Sequence, residues 1–256
     1  MTRVFATTAF AAGLAIASAQ TLSSNCQNAL TNIAANSDAS ACLAPGALVG
    51  LAAGNTSTSI VQPINNWLGS VCNASPCSNS TLDFIVNTAT DGCSTELSVL
   101  GYDSSQKNQV MDIVKQVYPT VRKVVCLKDG NDNCVTKTLQ GVESAVGPLS
   151  IDNLVKIVGS LSLNSSTIPQ SVTCSNCVKA AYNTINKDFP GTLDGAKDDA
   201  TKQCGASFVD GQDPSGITQS AAATSGSGNN GAMFGAYPDL ATSALVVLGG
   251  LFAFAA

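Results

Sequence analysis

The sequence predicts an all-α fold: a helical bundle stapled by disulfides. Apolar residues recur at helical spacing along most of the chain. No segment of useful length alternates with period two and β-branched enrichment. Ten cysteines, an even number, all fall between the two apolar ends. Such a count behind a secretory start implies a disulfide framework.

In chain order, Arg3 precedes an apolar run from Val4 to Ile16, which closes with Ala17-Ser18-Ala19. A positive charge, a short apolar stretch and small residues before a cut are a signal peptide, here residues 1–19. The run is short of the about 20 residues that a membrane span needs. A cysteine-rich helical domain, residues 20–208, follows. Weaker helical patterns cover Cys26 to Ala35 and Ile60 to Val71. Leu82, Ile85, Val86, Ala89 and Cys93 then share one face, with Asn79 or Ser80 as cap.

The next stripe runs from Val110 through Val114 and Val117 to Val125. It starts after Asp103, with Gln106 three residues on, the layout of a capping box. Pro119 lies inside the stripe and predicts a kink or break near Tyr118. Val135, Leu139, Val142, Val146 and Leu149 make another face, and Ile151, Leu154, Val155, Val158 and Leu161 follow Ser150 as cap. Val178, Ala181, Tyr182, Ile185 and Phe189 form the last strong one, and Leu193 to Cys204 a weaker one.

Beyond it, residues 209–230 read as a flexible Ser/Thr/Gly-rich stalk. Small residues and a spacer then precede the uncharged apolar run Leu240 to Ala256. That order is a GPI-attachment signal, with residues 231–256 removed and Asn230 the attachment residue; Asn229 and Ser227 also fit. The alternative is a single C-terminal transmembrane helix, though no Lys or Arg follows to hold a cytoplasmic end.

The cysteines are Cys26, Cys42, Cys72, Cys77, Cys93, Cys126, Cys134, Cys174, Cys177 and Cys204. Each half shows two separated cysteines, a close pair and one more, a layout that suggests a worn duplication. Each half would then hold an odd cysteine, so at least one bond must join them. Cys126 and Cys134 bracket a turn-rich loop and are the local pair expected to bond. Closing so short a loop would stabilise by ~2–3 kcal/mol. N-glycosylation is expected at Asn55, Asn73, Asn79 and Asn164, each in an N-x-[ST] sequon.

Composition excludes several functions. The formal net charge is −5, with no basic cluster, which argues against nucleic acid as a partner. The chain has no histidine, so Ser-His-Asp and Cys-His catalysis and histidine-ligated metals are excluded in their usual forms. Cys174-Ser175-Asn176-Cys177 is a CxxC, but no strand pattern precedes it and no second CxxC completes a zinc set. Asp129 to Asn133 resembles a calcium loop only faintly, and a polar turn is the better reading. Glu96 and Glu143 are the only glutamates, and Asp198 and Asp199 diverge on a helix, so no glycosidase carboxylate pair stands out. Trp67, Tyr102, Tyr118 and Tyr182 could stack on sugar, but packing is the simpler use. No catalytic, cofactor-binding or metal-binding residue is assigned.

The stretch from Tyr118-Pro119-Thr120 through Arg122 to Cys126, continued by Asn133-Cys134-Val135, resembles an uncharacterised family of cysteine-rich secreted proteins from mushroom-forming fungi. The resemblance implies a fungal cell-surface setting and transfers no functional residue. The expectation is a non-enzymatic surface glycoprotein, GPI-anchored to the plasma membrane or cell wall, with a structural or contact role. Its partners would be the membrane, through the anchor, and a cell-wall polysaccharide or lipid. The alternative is an extracellular lipid- or sterol-binding helical module.

Overall fold

In the computed structural model, residues 23–48, 57–99, 101–150, 153 and 168–222 are described. The expected signal peptide, the expected anchor signal with Asn230, the sequons at Asn55 and Asn164, and nearly all of the stretch from Ile151 to Leu161 lie outside them. The protein is mostly helical and is held by five disulfides.

The helices are α1 (Ser24–Ala35), α2 (Ser37–Leu43), α3 (Val61–Asn73), α4 (Asn79–Gly92), α5 (Ser94–Val99) and α6 (Lys107–Val125). They continue as α7 (Cys134–Val146), α8 (Gln170–Thr173), α9 (Asn176–Asp188) and α10 (Asp194–Cys204). Side-chain caps set several starts. Ser23 accepts from the Cys26 N–H, Asn36 from Asp38 and Ala39, Asn133 from Val135 and Thr136, and Ser175 from Val178. The capping box at Asp103 and Gln106 forms as expected. The cap of α4 is Ser78 rather than Asn79 or Ser80, because its hydroxyl accepts from the Thr81 N–H.

Pro119 does not break α6, which runs unbroken from Lys107 to Val125. Its neighbours hold the chain on both sides of the missing N–H: Tyr118 hydrogen-bonds the Cys77 backbone, and Thr120 bonds Asp188. These anchors offset a local cost of about 3 kcal/mol.

Two apolar clusters form the middle of the protein. Cys26, Ala29, Val86, Val110, Val114, Val117 and Phe189 join α1, α4 and α6 with the end of α9. Ile33, Ala39, Leu82, Ile85 and Tyr118 join α1, α2 and α4 to α6. Smaller clusters lie around Trp67 and Leu68, and around Leu127, Cys177 and Ala180.

Helical periodicity gave no sign of a small sheet. Strands β1 (Leu127–Asp129), β2 (Asp132–Asn133) and β3 (Ile217–Gln219) pair antiparallel in the order β2-β1-β3. The β1–β2 hairpin turns through Gly130 and Asn131, with Gly130 at φ 62°, which favours glycine. This is the polar turn expected at Asp129 to Asn133. The sheet reaches into the expected stalk: residues up to Ala222, its first part, contact the helical domain. β3 pairs with β1, and the Ala222 N–H donates to the Cys72 carbonyl. The Ser/Thr/Gly composition hid one apolar residue, Ile217, that the sheet uses.

The disulfides are Cys26–Cys93, Cys42–Cys77, Cys72–Cys126, Cys134–Cys177 and Cys174–Cys204. Cys126 and Cys134 do not pair with each other. The hairpin register places Lys128 opposite Asn133, and one step on puts Leu127, not Cys126, opposite Cys134. Cys72–Cys126 is the bond between the halves that the odd count required. Within the halves one pairing repeats: the second cysteine bonds the fourth in each, as Cys42–Cys77 and Cys134–Cys177, whereas the fifth bonds the first in one half and the third in the other. The connectivity therefore repeats between the halves only in part.

Candidate functional site

All ten cysteines are oxidised, so the expected disulfide residues are in place and the CxxC is split between two bonds, Cys134–Cys177 and Cys174–Cys204. Among the described residues, one group has metal-ligand spacing, Cys26, Cys93 and Glu96. Both sulfurs in it are committed to the Cys26–Cys93 bond. The Glu96 carboxylate accepts from the Ser23 N–H at 2.7 Å. The aromatic residues are dispersed. Trp67 is buried, and its indole N–H donates to the Leu43 carbonyl; Tyr182 leans against Phe208; Tyr118 is buried under the 74–78 loop. They form no stacking platform.

The motif around Tyr118 has a structural task. The Tyr118 hydroxyl accepts from the Cys77 N–H at 2.8 Å. Arg122, only 4% exposed, donates from Nη1 to the Val71 carbonyl at 2.9 Å and from Nη2 to the Ala74 carbonyl. A buried cation thus sits on the C-terminal end of α3, where the partial negative charge of the helix carbonyls compensates it. Cys126, a turn further on, bonds Cys72. Together these groups pin the loop between α3 and α4. Asn73 ends α3 and Asn79 begins α4, and both are exposed. Two of the four expected glycosylation sites therefore flank one clamped loop. The sequence reading missed Arg122; the signal was a cation four residues after Tyr118 and four before Cys126, on a face that is otherwise buried.

A second site was also missed. Between α9, β1, β3 and the end of α6 lies an open groove of about 320 Å³. Its floor is apolar, from Leu127, Ala180 and Ile217, and its walls are polar. Lys123 pairs with Asp188 at 2.8 Å. Asn183, 7% exposed, donates from Nδ2 to the Gln212 carbonyl at 2.9 Å and to Asp213 Oδ1 at 3.4 Å, while its own Oδ1 has no partner. The groove depends on β3, a segment that composition marked as stalk. Its open shape and mixed lining differ from the enclosed apolar cavity expected of a lipid carrier.

The comparisons with known proteins add no neighbour. No family profile, curated protein or solved structure matches the chain.

Proposed function

We propose that this chain is a non-enzymatic glycoprotein of the fungal cell surface, GPI-anchored to the plasma membrane or cell wall, acting by contact. The observation that carries the reading is full oxidation: five disulfides and no free cysteine point to folding in an oxidising, secretory environment. No helix among the described residues is long and apolar enough to cross a membrane. In this reading the C-terminal signal, Leu240 to Ala256 with the small residues and spacer before it, supplies the attachment.

The Ala222 N–H donates to the Cys72 carbonyl, one residue from the sequon at Asn73. A glycan on the exposed Asn73 would lie beside this contact.

The test is expression of the full chain in a eukaryotic secretory host. Phosphatidylinositol-specific phospholipase C is expected to release it from the membrane fraction. Asn73→Gln and Asn79→Gln are each expected to remove one peptide N-glycosidase-sensitive mobility step. Retention after lipase, together with insertion as an integral span, would overturn the anchor.

A further inference from the structure

We infer that the groove between α9 and β3 is a binding site for a neutral, hydroxyl-rich ligand of the saccharide class. Asn183 decides the point. Its amide orientation is fixed, because turning it over would set Oδ1 against the Gln212 carbonyl. Oδ1 is thus a true acceptor, buried in a side chain 93% withdrawn from solvent, with no donor in the protein. An acceptor left so loses about 1–3 kcal/mol, and such atoms in native proteins call for an explanation. Among the described residues three other buried polar atoms lack a hydrogen-bond partner: Asp83 Oδ1, Glu96 Oε2 and Arg122 Nε. Asp83 has Lys115 at 2.5 Å, and Glu96 and Arg122 are anchored through their other atoms. None of those three lines the groove; Asn183 does.

The remaining lining fixes the ligand class. Two lysines, Lys123 and Lys187, face two carboxylates, Asp188 and Asp213, so the groove carries no net charge. Lys123 and Asp188 already neutralise each other. That leaves Lys187 as a donor and Asp213 as an acceptor on opposite signs of charge, a pairing suited to adjacent hydroxyls rather than to an anion. The floor of Leu127, Ala180 and Ile217 offers the C–H face of a sugar ring an apolar seat. The volume lies at the small end of ligand sites, roughly 300–1,000 Å³, room for a short stretch of chain rather than a large ligand.

The site stands independently of the anchor and is tested on the full secreted protein. Glucose hexamers of three linkages (maltohexaose, cellohexaose and laminarihexaose) are titrated, with tetragalacturonate as the charged control, and followed by calorimetry and by the Asn183 side-chain amide resonances. At least one hexamer is expected to bind tighter than about 1 mM, equally at low and high salt, and to shift those resonances. Asp213→Ala and Thr218→Trp, both at exposed positions, are expected to weaken binding at least tenfold while all five disulfides still form. They serve in place of Asn183→Leu, which would also unseat Gln212. No binding by any hexamer, meaning a groove filled by solvent alone, overturns the proposal. So does salt-sensitive binding of tetragalacturonate only, or hexamer binding that both variants leave unchanged.

Discussion

Tyr118 shows how much one hydroxyl can hold. Its oxygen is the partner of the Cys77 N–H, a buried group next to the Cys42–Cys77 bond. Tyr118→Phe keeps the ring packing and strands that N–H, so a loss of about 1–3 kcal/mol is expected by denaturant unfolding of the oxidised protein. An unchanged midpoint would mean that water reaches Cys77. Glu96 makes a pH-dependent contribution. Burial works to raise its carboxyl, but hydrogen bonds from the Ser23 backbone, its own backbone and the Ser23 side chain outweigh it and hold the group below its ordinary value. A carboxyl lowered on folding stabilises above its unfolded pKa and loses that contribution as pH falls through the folded one. Thermal unfolding of Glu96→Gln against the parent is expected to show a gap near neutral pH that closes under acid, below about pH 4. The types of these residues were visible in the sequence, but their partners were not. Ser23 and Glu96 meet across 73 positions, and only tertiary packing brings them together.

At the scale of elements, α1 and α4 approach closely because Gly92 lacks a side chain. A methyl group there would lie 2.3 Å from Ala29 Cβ and 3.1 Å from the Asn25 carbonyl. Gly92→Ala is expected to destabilise by about 1–3 kcal/mol through overpacking. Gly69→Ala, in α3 with nothing within 4 Å, is expected to stabilise by about 0.5–1 kcal/mol. Opposite signs in the two unfolding midpoints check the assignment. α10 presents the reverse case, since none of its residues is buried. Cys174–Cys204 ties it down with the Gln170 and Gln203 side-chain bonds, and neither of those cysteines is buried, whereas the eight in the other bonds all are. Graded reduction followed by alkylation and mass spectrometry is expected to label Cys174 and Cys204 first. Earlier labelling of any other pair would contradict that order. The helices were legible because amphipathic periodicity is a local property of the chain. The sheet was not, because three-residue strands carry almost no period, and β3 finds its partner about ninety positions away.

For the whole molecule, the question is what makes its two cysteine sets one unit. Cys72–Cys126 is the one disulfide between them, and Arg122 and the Ala222–Cys72 hydrogen bond lie beside it. Packing also crosses the divide: α6 shares an apolar cluster with α1 and α4, and Phe189, just past α9, enters the same cluster. If the disulfide alone coupled the sets, its removal would let them melt separately. If the core couples them, removal only frees the unfolded chain. Because Val110, Val114 and Val117 of α6 are each nearly fully buried in that shared cluster, the core is expected to dominate. The Cys72→Ala/Cys126→Ala double variant should therefore unfold in a single transition, destabilised by about 2–5 kcal/mol. Coincident circular dichroism and Trp67 fluorescence curves would establish that. Two separated transitions would instead make this bond the hinge between two independently stable parts.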